Sequence, residues 1–172
     1  GHTKHRRMRN VFLHSTSNYP FTPDEANLLA IETLRREIPT LIGYSDNGDR
    51  YDIPLLATLM GSVVIEKHFT LDRTLPGPDH KASMEPHELT TCIRSIRVAE
   101  ERLKELQTAS ILSILQLTKE GGAIAQKLDI PLEVKLVPCL LGDGIKKPMP
   151  AELKVAAVAR KSIVAATDLP AG

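Results

Sequence analysis

The sequence predicts an α/β fold built on a parallel sheet, because three apolar strands alternate with amphipathic helices over residues 1–107. Each predicted strand ends in polar residues, and apolar side chains at helical spacing follow after a turn. Helices that connect parallel strands cover the faces of the sheet. The pattern therefore indicates a helix-covered parallel sheet, either open or closed into a barrel.

The first unit starts with a short strand at 11–14 (VFLH), which breaks at the polar segment 15–20 (STSNYP). Pro23 and Asp24 are typical of a helix start. A helix is then indicated by four apolar residues at helical spacing, Ala26, Leu29, Ala30 and Leu34. His14 is predicted to be a packed histidine rather than a ligand.

The second strand, 41–44 (LIGY), ends at 45–48 (SDNG), where Asn-Gly is a strong turn signal, and a helix is predicted at 53–60. The third strand, 63–65 (VVI), is β-branched and is predicted to be buried. Its helix is predicted to begin near Ser83, with Pro86 in the first turn.

The third strand leads directly into Glu66, Lys67 and His68, followed by a loop rich in Pro and Gly at 75–80 (LPGPDH). Charged side chains at the end of a buried strand need partners, because an unpaired buried charge costs several kcal/mol, on the order of 3–5. In barrels of alternating strands and helices, this end of the strand carries the chemistry. A solvated strand end with an ion pair explains the same residues equally well.

Residues 108–139 are less regular, with a strand predicted at 132–137. Residues 142–150 (GDGIKKPMP) are predicted to be a linker before a short strand at 159–165.

The net charge of +1 and the 3% aromatic content argue against nucleic acid as a partner. No apolar run is long enough to span a membrane. The two cysteines, Cys92 and Cys139, have no metal or redox spacing, so a cytoplasmic location is the default expectation.

Several motifs together resemble the N-acetylneuraminate (sialic acid) synthase family: HSTSNYPFTPDEANLLAIETLR, IGYSDN, VVIEKHFTLDRTLPGPDHKASMEPHEL, LGDGIKKPMPAEL and ARKSIVAATDLPAG. The resemblance implies that residues 1–107 are the last three strand–helix units of a TIM barrel. It also implies that residues 140–172 are a linker and the start of an antifreeze-like (SAF) domain, with 108–139 as an atypical insert. The implied reaction condenses phosphoenolpyruvate with an N-acylhexosamine to a nine-carbon 2-keto-3-deoxy sugar acid, in a homodimer.

The resemblance also implies roles for six residues. His68 and Tyr19 are expected to be catalytic. A divalent metal, Mn or Mg, is expected on His68 and on Asn47, which stands where the family pattern has a histidine. Substrate binding is expected from the strand ends and from the proline-rich loop, at Ser17, Tyr19, Ser45 and Asp79.

Two departures from the family pattern support a second hypothesis, in which the chain is a non-catalytic remnant that acts as a structural or interaction module. The first five barrel units are absent from these 172 residues, and Asn47 replaces the family histidine. On either hypothesis, the 172 residues alone are expected to be inactive, because the groups expected on the missing strands cannot be replaced.

Overall fold

The computed structural model of the chain describes residues 10–18, 21–105 and 136–159. Its sheet has three parallel strands in the order β1-β2-β3, which are β1 (Val11–Ser15), β2 (Leu41–Asp46) and β3 (Ile65–Lys67). Each strand is followed by a helix: α1 (Leu29–Glu37), α2 (Asp52–Leu59) and α3 (Pro86–Glu105). The predicted α/β order and the parallel sheet are both confirmed.

The register of the sheet divides its side chains between two faces. His14 is paired with Tyr44, which is paired in turn with Ile65, and paired residues of neighbouring strands point to the same face. On this face, His14 and Tyr44 are almost completely buried. The opposite face is open, since Leu41 is 58% exposed and Val64 is 40% exposed. Among the described residues, only one face of the sheet is covered.

The core lies between the covered face and the helices. It consists of large apolar side chains from the sheet, from α1 and α2, and from α4 (Val137–Leu141). The fully buried members include Leu28, Ile31, Ile42, Tyr44, Leu55, Leu56, Leu59 and Leu140. Burying a side chain of this size contributes about 1.5–3 kcal/mol, so this core is the main source of stability for the described part of the chain.

Two predicted strands differ from the structure. The third strand spans Ile65–Lys67, and Val63, which was predicted to be buried, is 55% exposed. The backbone of Val63 still donates to Ile42 O at 3.0 Å, but β3 is an edge strand whose outer side no described residue pairs with. Val137, predicted to end a strand at 132–137, begins α4 instead; the rest of that segment lies outside the described residues.

The segment 142–149 has no regular secondary structure, as its Gly and Pro content predicts. Asn27 holds it against α1: the side-chain amide donates to Ile145 O at 3.0 Å, and the amide oxygen accepts from Gly144 N at 2.8 Å. After this linker, α5 (Glu152–Ala159) begins. The predicted strand at 159–165 lies almost wholly outside the described residues.

In the described part of the chain, no helix combines the length and the apolar character that a membrane crossing requires.

Substitution of Gly43 can test how closely β2 packs against its neighbours in the sheet. A Cβ at this position would lie 2.6 Å from the backbone oxygen of Val64 and 2.5 Å from Leu13 Cδ2. We expect Gly43→Ala to lower the free energy of unfolding by about 1–3 kcal/mol, because the backbone oxygen cannot rotate away. Leu41→Ala, on the same strand and face but exposed, should change it by less than about 0.5 kcal/mol. Urea denaturation of both variants measures this, and equal effects would contradict the described register.

Candidate functional site

The carboxyl ends of the three strands meet at one edge of the sheet. Ser15 is paired with Ser45, and Ser45 with Glu66. The Ser45 hydroxyl donates to Glu66 Oε1 at 2.7 Å. A cleft of about 240 Å³ opens beside them, lined by Ser45, Asp46, Glu66, Lys67 and His68. Parallel strands therefore place the polar end of the second strand and the charged end of the third at a single concave site.

A buried ion pair joins β2 to β3 under this cleft. Lys67 Nζ lies 3.1 Å from Asp46 Oδ2, and the two side chains are 6% and 0% exposed. Lys67 also donates to the backbone oxygens of Gly48 and Ala82. The second carboxylate oxygen, Asp46 Oδ1, accepts from Gly48 N at 3.2 Å and from the Tyr44 hydroxyl at 3.4 Å. The strand end is thus neutralised by an internal pair, which is the structural role that the sequence left open.

The pKa values around this pair follow from burial. Burial raises the pKa of Asp46, and the nearby Lys67 ammonium offsets only part of that rise. Burial, followed by the Asp46 charge, raises the pKa of Tyr44 well above its usual value. Tyr44 is therefore a neutral hydroxyl that supports the carboxylate, and it is not a proton-transfer group at neutral pH.

Alternation along the strands places the Asp46–Lys67 pair and the Ser45–Glu66 pair on opposite faces of the sheet. Asp46 and Lys67 are paired in register on the helix-covered face, whereas Ser45 and Glu66 are paired on the open face. Glu66 is exposed and uses one oxygen on Ser45, so it can accept further hydrogen bonds from a ligand. The two pairs are adjacent in sequence, but the side chains of Asp46 and Lys67 are buried, whereas Ser45 and Glu66 present their polar groups to the cleft.

Asn47 and His68 follow the ends of β2 and β3. The Asn47 amide nitrogen donates to Thr16 O at 2.8 Å. This hydrogen bond connects the Asn47 side chain to the end of β1, and it leaves the Asn47 amide oxygen pointing away from the Thr16 carbonyl. His68 is half-buried and lines the cleft. The backbone of His68 accepts a hydrogen bond from Met84 N at 3.0 Å. Both predicted metal-binding residues therefore stand at the same edge of the sheet.

The loop that carries Asp79 is fastened at its base. The Arg73 guanidinium donates to Ser83 O at 2.8 Å and forms an ion pair with Glu88 at 2.6 Å. Thr70 and His80 are joined by a side-chain hydrogen bond of 2.7 Å. Residues 74–79 themselves are exposed. Asp79 is thus presented to solvent on a loop between β3 and α3, which the Arg73–Glu88 pair fastens to α3.

Ser17 lies on the turn after β1, and its surroundings come from the far end of the chain. Its backbone N–H donates to Glu152 Oε1 at 2.6 Å, and Lys146 Nζ donates to Ser15 O at 2.9 Å. A second cleft of about 430 Å³ lies between this turn and the linker. Sequence reasoning did not identify Lys146 or Glu152, because 131 and 135 residues separate them from their partners.

The donor atoms at this edge of the sheet can be compared with those that a metal ion requires. Within residues 10–18, 21–105 and 136–159 there is no cluster of three or more His, Cys, Asp or Glu side chains that could hold a metal. His68 and the amide oxygen of Asn47 supply two donors of different kinds. Both donors are neutral, so a divalent cation bound by them alone would need water or substrate oxygens for the rest of its coordination sphere.

The structure therefore brings Ser45, Asn47 and His68 to one edge of the sheet, with Ser17 on the neighbouring turn and Asp79 on the adjacent loop. Tyr19 lies outside the described residues. Glu66, for which the sequence allowed either an ion pair or a role in the site, is the additional carboxylate of the cleft. Its position directly before Lys67 and His68 was the available signal.

Comparison with known proteins gives consistent results. Residues 3–108 match the model of the NeuB family. An N,N'-diacetyllegionaminic acid synthase from Legionella pneumophila is 38% identical over 162 residues, which are 94% of this chain and 35% of that protein. An N-acetylneuraminate-9-phosphate synthase from Mus musculus is 36% identical over 140 residues, which are 80% of this chain and 39% of that protein.

The solved structures include the spore coat polysaccharide biosynthesis protein SpsE from Bacillus subtilis, which superposes with a TM-score of 0.63 at 29% identity. The match covers 84% of this chain and 34% of that one. The chain thus spans between about a third and two fifths of the length of these relatives.

The buried ion pair can be tested with Lys67→Met. Removing the ammonium leaves the Asp46 carboxylate uncompensated, so the free energy of unfolding at pH 7 should fall by about 3–5 kcal/mol. Lys147→Met is the matched control, because Lys147 pairs with Asp143 at 2.7 Å with both side chains about half exposed, and it should cost less than about 1 kcal/mol. The double variant Asp46→Asn/Lys67→Met should recover part of the loss. Equal costs for the two lysines in denaturant titrations would refute the role of this pair.

His14 predicts an acid-sensitive contribution to stability. Its Nε2 lies 2.9 Å from Ala26 O and 3.1 Å from Asn27 O, so this nitrogen carries the proton. Burial, followed by the Lys146 charge, lowers the pKa of His14 from 6.5 to about 4. Because the unfolded chain binds this proton more tightly, stability should fall as the pH drops from 6.5 through 4, by about 3 kcal/mol in total.

The variant His14→Gln keeps an N–H donor and cannot titrate, so its free energy of unfolding should lose this pH dependence. His87→Gln, at a histidine whose side chain is 76% exposed, should retain it. Denaturant titrations between pH 4 and 7 compare the two slopes. A His14→Gln profile parallel to that of the unmodified chain would show that His14 does not stay neutral in the fold.

Proposed function

The chain belongs to the NeuB family of sialic-acid-type synthases, and we propose that it forms the last three strand–helix units of a barrel enzyme that condenses phosphoenolpyruvate with an N-acylhexosamine. The product would be a nine-carbon 2-keto-3-deoxy sugar acid. The observation that carries the proposal is the meeting of Ser45, Glu66 and His68 at the carboxyl edge of a parallel sheet, in one cleft. In barrels of this kind, the active site lies at that edge.

The open face of the sheet supports the barrel part of the proposal. Leu41 and Val64 expose apolar surface on a face that no described element covers, and no described strand pairs with the outer side of β3. In a closed barrel, this face would be the packed interior, and the strand edge would pair with a further strand. Because the chain spans about a third of its Legionella relative, the other strands belong to a longer protein on this proposal.

Each residue of the edge has a role in the proposed reaction that its chemistry allows. The Ser45 hydroxyl and the backbone near Ser17 would bind polar groups of the substrates. Glu66 would accept a hydrogen bond from a sugar hydroxyl, because its carboxylate has capacity beyond the Ser45 contact. Asp79, on its exposed loop, would bind sugar hydroxyls from the opposite side.

His68 and the Asn47 amide oxygen would hold a divalent cation, Mn or Mg, completed by water. When bound, such a cation supplies the polarisation of a carbonyl oxygen that makes the aldehyde of the sugar electrophilic. The hydrogen bond from Asn47 to Thr16 fixes the side chain before any ligand binds. The amide is a weaker donor than imidazole for transition metals, so the site should favour harder, oxygen-preferring ions.

A second function, a non-catalytic structural or interaction module, is favoured by the engagement of Asn47 with the Thr16 carbonyl. That contact gives Asn47 a structural role without a metal. Activity of the full-length protein decides between the two functions, since a remnant would bind partners without turnover.

The enzyme of the first proposal is also expected to be a homodimer.

The catalytic proposal predicts the effect of His68→Ala in a full-length protein that contains this chain. Condensation of phosphoenolpyruvate with N-acetylmannosamine, followed as phosphate release during a metal titration, should be lost in His68→Ala. His87→Ala, at an exposed histidine of α3, is the control and should keep the activity. Circular dichroism should be the same for both variants. Full activity of His68→Ala across the titration would rule out His68 as a metal ligand.

A further inference from the structure

The linker returns to the carboxyl end of β1, where the first strand meets the candidate site. Lys146 donates to the backbone oxygen of Ser15, and Glu152 accepts from the backbone N–H of Ser17. The Glu152 contact is short, at 2.6 Å, and its carboxylate acceptor makes it a charge-assisted hydrogen bond. The start of α5 is therefore attached directly to the turn that carries a predicted substrate-binding residue.

Both carboxylate oxygens of Glu152 are engaged. While Oε1 accepts from Ser17 N, Oε2 accepts from Met149 N at 2.7 Å, three residues before it, and the residue is only 9% exposed. Burial alone raises the pKa of Glu152, but the amide donors of Met149 and Ser17 and the Lys146 charge outweigh it, so that the pKa lies below its usual value. Glu152 is therefore ionised at neutral pH, and a single carboxylate orders both the linker end and the β1 turn.

The linker that presents Glu152 is itself held in place. The Asn27 side chain accepts a hydrogen bond from Gly144 N and donates one to Ile145 O. Thr33 Oγ1 donates to Gly144 O at 2.7 Å. Gly142 approaches Asn27 so closely that a Cβ there would lie 2.9 Å from the Asn27 Cα. These contacts join α1 to the linker and fix the path of the chain before it reaches Glu152.

We propose that Glu152 is a positioning residue for the substrate site, whose carboxylate sets the backbone at Ser17 and thereby links the linker to ligand binding at the end of β1. This inference rests on the proposed function, because Ser17 is a substrate-binding residue only within it. The adjoining cleft is lined by Ser15, Ser17, Lys146, Pro148 and Glu152, among others. Ligand contacts made there would depend on where Glu152 holds the turn.

The hydrogen bond itself is tested by NMR on the ¹⁵N-labelled chain at a constant pH of about 7. The other titratable groups that face Glu152 are Lys146 and His14, and a fixed pH keeps their charge states constant. In Glu152→Gln, the Ser17 amide proton should shift upfield more than any other amide of residues 10–18, because a neutral acceptor replaces the carboxylate. Asp143→Asn, a carboxylate of the same linker that bonds Ile145 N and Lys147, is the control and should leave the Ser17 amide unchanged.

The effect on the site is tested by kinetics on a full-length protein that contains this chain. Glu152→Gln should raise the KM of whichever substrate, phosphoenolpyruvate or N-acetylmannosamine, contacts the β1 turn. The expected increase is roughly tenfold, because a charge-assisted hydrogen bond that holds the turn is weakened. The kcat should be nearly unchanged. Glu152→Asp keeps the charge but shortens the side chain, and it should give a smaller increase in KM. It also serves as the second variant if Glu152→Gln fails to fold.

An unchanged Ser17 amide in Glu152→Gln, or in Glu152→Asp if the first variant does not fold, would overturn the proposal. So would a KM that changes by less than about twofold in both variants. If the unmodified full-length protein has no synthase activity, the proposed function fails, and the Ser17 amide alone then decides whether Glu152 positions this turn.

Discussion

The parallel register of the three strands is the constraint on which the rest of the described structure depends. Ser15, Ser45 and Glu66 are aligned across the sheet, so every polar group that follows a strand is brought to one edge. A slip of one residue would exchange the two faces of a strand, moving Asp46 out of the core and Ser45 into it. The buried pair of Asp46 and Lys67 opposes such a slip, because either charge alone would be costly in the interior.

Adjacent residues on the same strand ends have opposite tasks. Asp46 and Lys67 neutralise each other on the buried face of the sheet, while Ser45 and Glu66 present polar groups to the open cleft. The charged end of the third strand therefore carries both an ion pair and a side chain that faces the cleft. Strand alternation provides both, because successive side chains point to opposite faces of the sheet.

Local signals in the sequence predicted the strand–helix order and the linker at 142–150, since each depends on residues close together in the chain. The turn predicted at 45–48 begins later in the structure, because Ser45 and Asp46 are the last two residues of β2. The predicted burial of Val63 was wrong because burial depends on what covers an edge strand, and the described residues leave that edge open. The roles of Lys146 and Glu152 were also missed. Their partners lie 131 and 135 residues away, and no periodicity or spacing rule connects residues so far apart. Asn47, His68 and Ser45 could be placed at one edge in advance because parallel topology alone brings them there.

On the proposal for this site, the ends of β2 and β3 form one cation-binding edge. Paramagnetic broadening by Mn²⁺ in NMR spectra of the ¹⁵N-labelled chain tests it without any requirement for turnover. The amides of residues 45–48 and 66–68 should broaden together as Mn²⁺ is added, and Asn47→His should produce the same broadening at lower Mn²⁺ concentration, because imidazole is the better ligand. Broadening confined to only one of these segments, or located elsewhere on the chain, would contradict the account.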